Sequence, residues 1–416
     1  MDLNLSGSAP HTESIELRKY PQIIKYMGSK AKIVGYVANG INDVFEGGTV
    51  CDLFSGSCTL AGAIGGSVDF HSNDIQNYSS VLARCYLGRV SRKFCETTPK
   101  AILNKAEILV KRRFRRLPSD LKYTADLNLC DYNEVEKANQ ELIKRTFGYE
   151  YHLFLKFYSG TWWSALQCLW IDCLREVIDK EYSDKRLSIL DRSILLAAVM
   201  NAMAYCGQGT GHFAQFRDAK DQGSLKDILI YRVKSVPTYF GRCATKLFEW
   251  NSVQERNSHK YSCTNLDYLS VLKKVNRGVV YADPPYAFVH YSRFYHALET
   301  FVLYDYPEMQ EKNGSVVKGR YRSNRHQSPF SIRSQVPGAF EKLFLGVREA
   351  HANMVLSYSN SGLFELDDLV DLVEEKLSDR YAIDVQQIDY RHMTMGRRDD
   401  RDRRVKEALI LAKIRS

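Results

Sequence analysis

The stretch Thr49-Val50-Cys51-Asp52-Leu53-Phe54-Ser55-Gly56-Ser57-Cys58 sets the architecture expected of this chain. Its first six residues are mostly apolar, as is typical of a buried strand, and the small residues after them turn the chain into a helix. Small residues at such a turn let the backbone approach a ligand, and the helix N-terminus offers free N–H groups. The stretch therefore predicts the first βα unit of an α/β doubly wound sheet, with a ligand site at the turn.

Downstream, the short segment at residues 68–72 is interpreted as a second strand, which is followed by Asp74. Asp74 comes 18 residues after Gly56. An acid at the end of the second strand is placed to bind both hydroxyls of a ribose, as in dinucleotide-binding folds. Asp74 is therefore a candidate for holding a nucleoside.

Upstream lies Lys25-Tyr26-Met27-Gly28-Ser29-Lys30, followed by Ile33, Val37 and Ile41 at four-residue spacing. This pattern predicts a glycine loop that enters an amphipathic helix. The sequence G-x-x-x-x-G-K-[ST] is not present, which excludes a P-loop. An exposed helix start is the alternative interpretation of the loop.

The hexapeptide Tyr281-Ala282-Asp283-Pro284-Pro285-Tyr286 follows an apolar run that predicts another buried strand. Two consecutive prolines fix two φ angles and remove two backbone donors, so the chain leaves the strand as a rigid turn. The Asp283 carboxylate and the Pro284 carbonyl can accept two hydrogen bonds from a planar amino group, while Tyr286 stacks on the ring that bears it. An exocyclic base amine fits this description, and holding its N–H bonds helps to free its lone pair for attack. A strand-ending turn with a surface tyrosine is the alternative.

Taken together, these motifs resemble those of the amino methyltransferases that modify adenine in DNA, specifically the Dam-type or alpha group. The loop at Lys25 differs from the family pattern at Ser29, and the turn after Phe54 differs at Cys58, where the family has glycines. The resemblance implies S-adenosylmethionine as the cofactor. It implies catalytic roles for Asp283, Pro284, Pro285 and Tyr286, and cofactor binding by Lys25, Tyr26, Gly28, Phe54, Gly56, Asp74 and Asp267.

The order of the motifs, with an insert between cofactor and catalytic motifs, is that of the alpha group. We expect a Rossmann-like methyltransferase sheet formed by residues 20–90 and 259–416, a mostly helical DNA-recognition insert at 91–258, and a loose lead-in at 1–19. The implied reaction is direct transfer of a methyl group to the 6-amino group of an adenine that is flipped out of double-stranded DNA.

Two basic segments are candidates for contact with DNA. The run from Lys111 to Arg116 has five cations in six residues, which predicts phosphate contacts by Arg112, Arg113, Arg115 and Arg116, with a solvated helix face as the alternative. The polar stretch at 291–333 suggests a mobile, DNA-facing loop that includes Arg322 and Arg325. Residues 216–257 are basic and irregular in pattern, and we assign base reading to them. Trp162 and Trp163 are expected in the core.

Composition narrows the class of protein. A chain of 416 residues with 44% hydrophobic content exceeds one ordinary core. None of its ten cysteines forms a C-x-x-C pair, which argues against a zinc ribbon or a redox motif and favours a reducing cytoplasm. We expect no metal, no membrane span and no leader segment, and a nucleoid-associated location in a prokaryote or phage. A net charge of +9 permits a polyanionic partner.

Other functions stay open on sequence grounds. Transfer to the 4-amino group of cytosine uses similar chemistry, although its enzymes more often carry serine in place of Asp283. A DNA-binding protein that has the fold without turnover is the alternative from another class, and the intact Asp-Pro-Pro-Tyr motif argues against it. The recognition sequence, a cognate restriction enzyme as partner, and the choice between monomer and dimer are not determined by the sequence.

Overall fold

The computed structural model describes residues 14–90, 97–209, 211–254, 259–285, 290–360, 362–392 and 403–415. Within these ranges, one sheet of seven strands is accompanied by a two-stranded hairpin. The strands are β1 (Thr49–Asp52), β2 (Asp69–Asn73), β3 (Tyr261–Thr264), β4 (Val279–Ala282), β5 (Glu311–Lys312), β6 (Ser315–Val316), β7 (Asn353–Ser359), β8 (Tyr381–His392) and β9 (Arg403–Ile414).

The large sheet has the order β3-β2-β1-β4-β7-β9-β8. Its first five strands are parallel, and β9 lies antiparallel between β7 and β8. The strand order reverses between β1 and β4, which makes this the switch point of a doubly wound sheet. Ligands bind outside the carboxyl ends of the strands at such a point. The predicted α/β doubly wound sheet is confirmed.

Successive residues of each inner strand point into two separate cores. Val50 and Val279 belong to one core, and their neighbours Cys51 and Val280 belong to the other. Helices cover both faces, so all four residues of β4 are buried. Strands that are buried on both faces are continuous apolar runs, and this is why the sequence pattern reveals them.

Fifteen α-helices surround the sheet in the described part of the chain. They are α1 (Val34–Val44), α2 (Thr59–Ile64), α3 (Asn77–Leu87), α4 (Thr97–Phe114), α5 (Leu129–Gln140), α6 (Leu153–Phe157), α7 (Ala165–Ser183), α8 (Ile189–Cys206), α9 (Gln222–Arg232), α10 (Val236–Ser252), α11 (Tyr268–Leu272), α12 (Tyr291–Phe294), α13 (His296–Leu303), α14 (Val336–Glu349) and α15 (Leu366–Leu377). Short 3-10 turns occur at Lys30–Lys32, Ser119–Leu121, Glu141–Lys144 and Pro329–Ser331.

The insert at 91–258 is helical where the structure describes it, as expected. Most of its buried residues belong to the core on one face of the sheet, and a small cluster forms a separate core: Tyr123, Tyr132, Leu225, Ile228 and Leu229. Helix α8 of the insert packs against α3, and residues of both belong to the core on one face of the sheet. Trp162 and Trp163 are fully buried there, which confirms their prediction as core residues. Helix α8 is long and apolar enough to cross a membrane, yet 78% of it is buried inside the protein, as in a core helix.

Residues 216–257 are predicted from their pattern to be irregular, and this prediction is wrong where the structure describes them. Helix α9 begins with a capping box from Asp221, and α10 begins with a Ser235 cap and an early proline. Arg232, one of the cations of this region, is buried and paired with Glu136 at 2.7 Å between Nη2 and Oε1. Residues 255–257 lie outside the described ranges.

Two segments are more ordered than the sequence suggested. The stretch at 291–333 forms α12, α13 and the β5–β6 hairpin, with Tyr321 and Phe330 buried. Residues 14–19 are not a loose lead-in, because Ile15 is buried and Arg18 donates to the carbonyls of Gly62 (2.9 Å) and Tyr86 (2.7 Å). Residues 1–13 lie outside the described ranges.

Candidate active site

Three aspartates stand at one edge of the sheet, where neighbouring parallel strands end. Asp52 is the last residue of β1, Asp74 follows β2, and Asp283 follows β4. Since β1 lies between β2 and β4, the three side chains line one cleft at the switch point. The sequence indicated Asp74 and Asp283 as site residues but missed Asp52, whose position at the end of a buried strand was the available signal.

The turn after β1 is held by Asp74. Its Oδ2 accepts from the backbone N–H of Gly56 at 2.8 Å, and its Oδ1 accepts from that of Gln76 at 2.8 Å. Gly56 has φ +51°, in the left-handed region, and a Cβ there would lie 3.0 Å from the Tyr26 ring. Cys58 also has a left-handed backbone (φ +58°), and its Sγ points to the Ser79 carbonyl at 3.2 Å. The turn is therefore completed without the second glycine of the family pattern.

We predict that Gly56→Ala weakens binding of S-adenosylmethionine, the cofactor that the sequence motifs imply, because the added Cβ strains the backbone and displaces Tyr26 from the cleft. A positive φ costs a non-glycine residue roughly 1–2 kcal/mol, so a loss on the order of 10-fold in affinity is expected. Isothermal titration calorimetry of the variant measures it. Gly148→Ala, which adds a Cβ with nothing within 4 Å, is the matched control and should bind as the wild type does. Equal affinity in the two variants would contradict the role given to the turn.

Tyr26 and Tyr291 line the cleft near this turn, and Tyr295 supports Tyr26 from the protein core. The rings of Tyr26 and Tyr295 stack at 4.4 Å between centroids, and the Tyr295 hydroxyl accepts from the Met27 N–H. Gly28 has φ +77°, and a Cβ at this position would lie 2.9 Å from the hydroxyl of Tyr291. The glycine is therefore needed both for its backbone conformation and for the approach of the tyrosine.

One end of the cleft is aromatic. The ring of Phe54 lies 5.6 Å from that of Tyr268 and 5.5 Å from that of Phe330, measured between centroids. Asp267 lines this end of the cleft and also caps α11, accepting from the Leu269 N–H at 3.0 Å. Asp267 is therefore both a cleft residue and a helix cap, the two interpretations that its position in the sequence allows.

Asp283 is part of a buried group of three charges. The Nζ of Lys30 lies 3.3 Å from Asp283 Oδ1 and 3.0 Å from Glu407 Oε2. Only 9% of the Lys30 side chain and 2% of the Glu407 side chain are exposed. Lys30 comes from the 3-10 turn after Ser29, and Glu407 comes from β9, so three distant parts of the chain meet behind the Asp-Pro-Pro turn.

The cleft is arranged to favour a cation. Burial raises the pKa of Asp52 to about 8, and the nearby carboxylates of Asp283 and Asp74 add to the shift. Burial likewise raises the pKa of Asp74 to about 6, against the hydrogen bonds from Gln76 and Gly56. It raises the pKa of Asp283 to about 6, although Lys30 lowers it. A positively charged ligand would restore the ionised forms.

Comparison with known proteins agrees with this geometry. The family model described as D12 class N6 adenine-specific DNA methyltransferase matches residues 26–154 and 230–352, together more than half of the chain. The chain belongs to this family. Its members transfer a methyl group, which implies a methyl donor and DNA as the substrate class.

Modification methylases are among its relatives. The chain is 24% identical to modification methylase LlaI from Lactococcus lactis subsp. lactis, over 87% of this chain and 49% of that protein. It is 21% identical to modification methylase StsI from Streptococcus sanguinis, over 88% and 48%. It thus spans about half the length of these two relatives. Type II methyltransferase M.NlaIII from Neisseria lactamica is 22% identical, over 91% of this chain and 95% of that protein.

Most of the residues assigned from the family motifs lie in the same cleft. They are Tyr26, Gly28, Phe54, Gly56, Asp74, Asp267, Asp283, Pro284 and Pro285. Tyr286 lies outside the described residues. The structure does not place Lys25 with the other predicted cofactor-binding residues. Its Nζ lies 5.0 Å from the centroid of the Tyr205 ring, and Lys25 is not among the cleft residues. The lysine in the cleft is Lys30.

The basic run from Lys111 to Arg116, at the end of α4 and in the turn after it, has exposed and buried members. Arg112, Arg115 and Arg116 are exposed, as a surface that contacts phosphate requires. Arg113 is 6% exposed, pairs with Glu176 at 2.6 Å between Nη2 and Oε2, and stacks over the Tyr149 ring. The prediction that Arg113 contacts a phosphate is therefore wrong, since the buried ion pair occupies its guanidinium.

The two arginines predicted near the catalytic motif have internal partners. Arg322 forms two hydrogen bonds to the Asp305 carboxylate, at 2.8 and 2.7 Å. Arg325 donates to Gln310 Oε1 at 3.1 Å and lies 5.5 Å from the centroid of the Tyr321 ring. Arg322 is thus neutralised locally, whereas the partner of Arg325 is an uncharged amide. Across the described residues, no cluster of His, Cys, Asp or Glu could hold a metal ion.

Proposed function

We propose that the protein transfers the methyl group of S-adenosylmethionine to the 6-amino group of an adenine in double-stranded DNA. One observation carries the proposal: Asp283 and Pro284 line the same cleft as Gly56 and Asp74. A group that accepts from a base amine and a turn suited to a nucleoside cofactor therefore face one space. Because two relatives bear the name modification methylase, we further propose a protective role in restriction and modification, inside a bacterial or phage-infected cell.

The cleft fits S-adenosylmethionine in shape and charge. Asp74 would accept from the two ribose hydroxyls, and Asp267 from the amino group of the cofactor's adenine. Phe54 and Tyr268 line the cleft and offer aromatic side chains to that ring. Asp52 provides a buried carboxylate for a cationic group. When bound, the cofactor would supply a methyl group activated by a positively charged sulfur.

The substrate amine would be held by the turn after β4. The Asp283 carboxylate and the Pro284 carbonyl each accept one of its two N–H groups, which orients the nitrogen lone pair towards the methyl donor. Tyr286 would stack on the flipped base and offset part of the few kcal/mol that flipping costs. The nitrogen that gains a methyl must lose a proton, and the Asp283 carboxylate, which would already accept one of its N–H groups, can take that proton.

DNA would approach across the mouth of the cleft and the helical segment at 91–258, which we propose as the recognition module. Arg293 and Arg325 lie on the ring of Tyr321, at 4.7 and 5.5 Å from its centroid. Each is next in sequence to a cleft residue, Ser292 or His326. Among the described residues, neither arginine forms an ion pair with a carboxylate, so both are suited to phosphate contact.

Methyl transfer from labelled S-adenosylmethionine tests the proposal. Purified protein is incubated separately with double-stranded DNA, RNA and a protein extract, and the DNA nucleosides are then separated by mass spectrometry. We expect label in N6-methyladenine of double-stranded DNA. Label in RNA or protein alone would contradict the proposal.

The exposed arginines at the end of α4 and in the turn after it give a prediction about affinity for DNA. Replacing Arg112, Arg115 and Arg116 by glutamine should weaken binding to cognate and non-cognate DNA equally, because phosphate contacts carry no sequence information. The slope of log K against log salt should flatten by roughly 0.9 for each phosphate that the variant no longer neutralises, as measured by fluorescence anisotropy over a salt series. An unchanged slope would mean that these arginines form a solvated helix face.

Arg113→Gln is the matched control for this series, since Arg113 lies on the same helix but faces inward. It should leave the salt slope unchanged and lower the melting temperature instead. Removing one partner of a buried ion pair costs roughly 3–5 kcal/mol.

A further inference from the structure

The proposed reaction uses Asp283, but it assigns no role to the two charged residues behind it. Lys30 and Glu407 are both buried, although each carries a charge. Glu407 lies on β9, beyond the residues 26–154 and 230–352 that match the family model. Moving a lysine and a glutamate out of water is costly, and such a pair alone adds little stability. Its place beside the Asp-Pro-Pro turn calls for a functional account.

We propose that Lys30 and Glu407 are positioning residues that hold Asp283 ionised and correctly turned for the substrate amine. Lys30 contacts Oδ1 of Asp283, which leaves Oδ2 to accept from the amine. Glu407 anchors the Lys30 Nζ at 3.0 Å, so that the ammonium group stays at one side of the carboxylate and does not enter the cleft. This inference rests on the function proposed above and adds two residues to its site.

The titratable and charged groups that face Asp283 come from several elements. They are Lys30 on the 3-10 turn, Glu407 on β9, Asp52 on β1, Tyr281 on β4 and Tyr291 on α12. Of these, Lys30 lowers the pKa of Asp283 and Glu407 raises it, while burial has the largest effect and also raises it. Two variants should therefore shift the pKa of Asp283 in opposite directions. Removing the lysine charge should raise the pKa, and removing the glutamate charge should lower it.

The test follows Asp283 directly, in protein without DNA or cofactor. Aspartate is labelled with ¹³C at Cγ, the Asp283 resonance is identified by its loss in Asp283→Asn, and its shift is followed against pH. The wild-type midpoint is expected near the pKa of about 6 that burial gives this group. Lys30→Met should raise it by roughly 1–3 pH units, whereas Glu407→Gln should lower it by roughly 1. Lys30→Arg, which keeps the charge, should restore a midpoint close to that of the wild type.

Two further variants keep the test decisive. Lys30→Met leaves Glu407 buried without its cation and can fail to fold. The double variant Lys30→Met/Glu407→Gln removes both charges, and its midpoint should lie above that of Glu407→Gln alone. Lys32→Met, at an exposed lysine of the same turn, is the control and should match the wild type.

The inference would be overturned if Glu407→Gln had the wild-type midpoint and the double variant had the same midpoint as Glu407→Gln. Because the titration needs no turnover, it is independent of the methylation assay, and either result can fail alone. In that assay, Glu407→Gln should reduce kcat by at least about 10-fold without changing the KM for the methyl donor, as misplacement of an orienting group does. A change confined to that KM would place the pair in cofactor binding and would also overturn the inference.

Discussion

Asp283→Ala is expected to abolish methyl transfer while leaving affinity for the methyl donor within a few-fold of the wild type. The carboxylate is proposed to hold the substrate amine, and removing an oriented group of this kind costs on the order of 100-fold or more in rate. The variant should fold, because Lys30 and Glu407 still neutralise each other at 3.0 Å after the aspartate is removed. Single-turnover kinetics and calorimetry measure the two quantities separately.

Asp283→Asn sharpens this comparison. Asparagine keeps one oxygen acceptor but has no charge, so an intermediate rate is expected, with unchanged affinity for the donor. An alanine variant that still transfers methyl groups at more than about a tenth of the wild-type rate would show that Asp283 does not orient the substrate.

Asp74→Ala should have the opposite effect: it should weaken binding of the methyl donor first. Asp74 is proposed to accept from two ribose hydroxyls, and it also fixes the turn through the N–H groups of Gly56 and Gln76. Hydrogen bonds to a charged group contribute roughly 1.5–3 kcal/mol each, so the dissociation constant should rise by about 100-fold or more. Calorimetric titration with S-adenosylmethionine measures the change.

The matched control for this variant is Asp69→Ala. Asp69 is the first residue of β2, the strand that Asp74 follows, so it lies at the end of the strand away from the cleft. Its carboxylate accepts from the Lys260 N–H. It should bind the donor as the wild type does. If Asp74→Ala keeps the donor and Asp283→Ala loses it, the two roles have been assigned the wrong way round.

The sheet and most of its site could be predicted because local pattern and burial agree there. Residues 50–52 and 279–282 lie in runs of sequence whose side chains the structure buries on both faces. Glycine at 28 and at 56 stands where the backbone is left-handed and an aromatic ring approaches. At such positions a short stretch of sequence determines most of the local backbone conformation and burial. The order of the motifs was therefore enough to place them at one cleft.

The insert was harder to predict because a charged side chain is not always an exposed one. Arg113 continues the buried face of α4, at helical spacing after Ile102, Ala106 and Val110, and that spacing was visible in the sequence. Arg232 is buried because Glu136, 96 residues away, neutralises it. A local pattern contains no information about such a distant partner. The helix starts at Asp221 and Ser235 were signalled by their caps.

The contacts behind Asp283 could not have been predicted from local sequence. Lys30 and Glu407 are separated by 377 residues. They meet because β9 inserts next to β7, which brings the end of the chain beside the turn at its start. Only the closed tertiary structure identifies Lys30, and not Lys25, as the lysine of the cleft.

The central claim is that this cleft methylates the 6-amino group of adenine in double-stranded DNA. The most direct measurement is to sequence native DNA, with detection of modified bases, from cells that express the wild type or Asp283→Ala. We predict N6-methyladenine at one recurring sequence in the wild-type sample and none above background in the Asp283→Ala sample. Methylation of cytosine alone, or the same adenine pattern in both samples, would contradict the account.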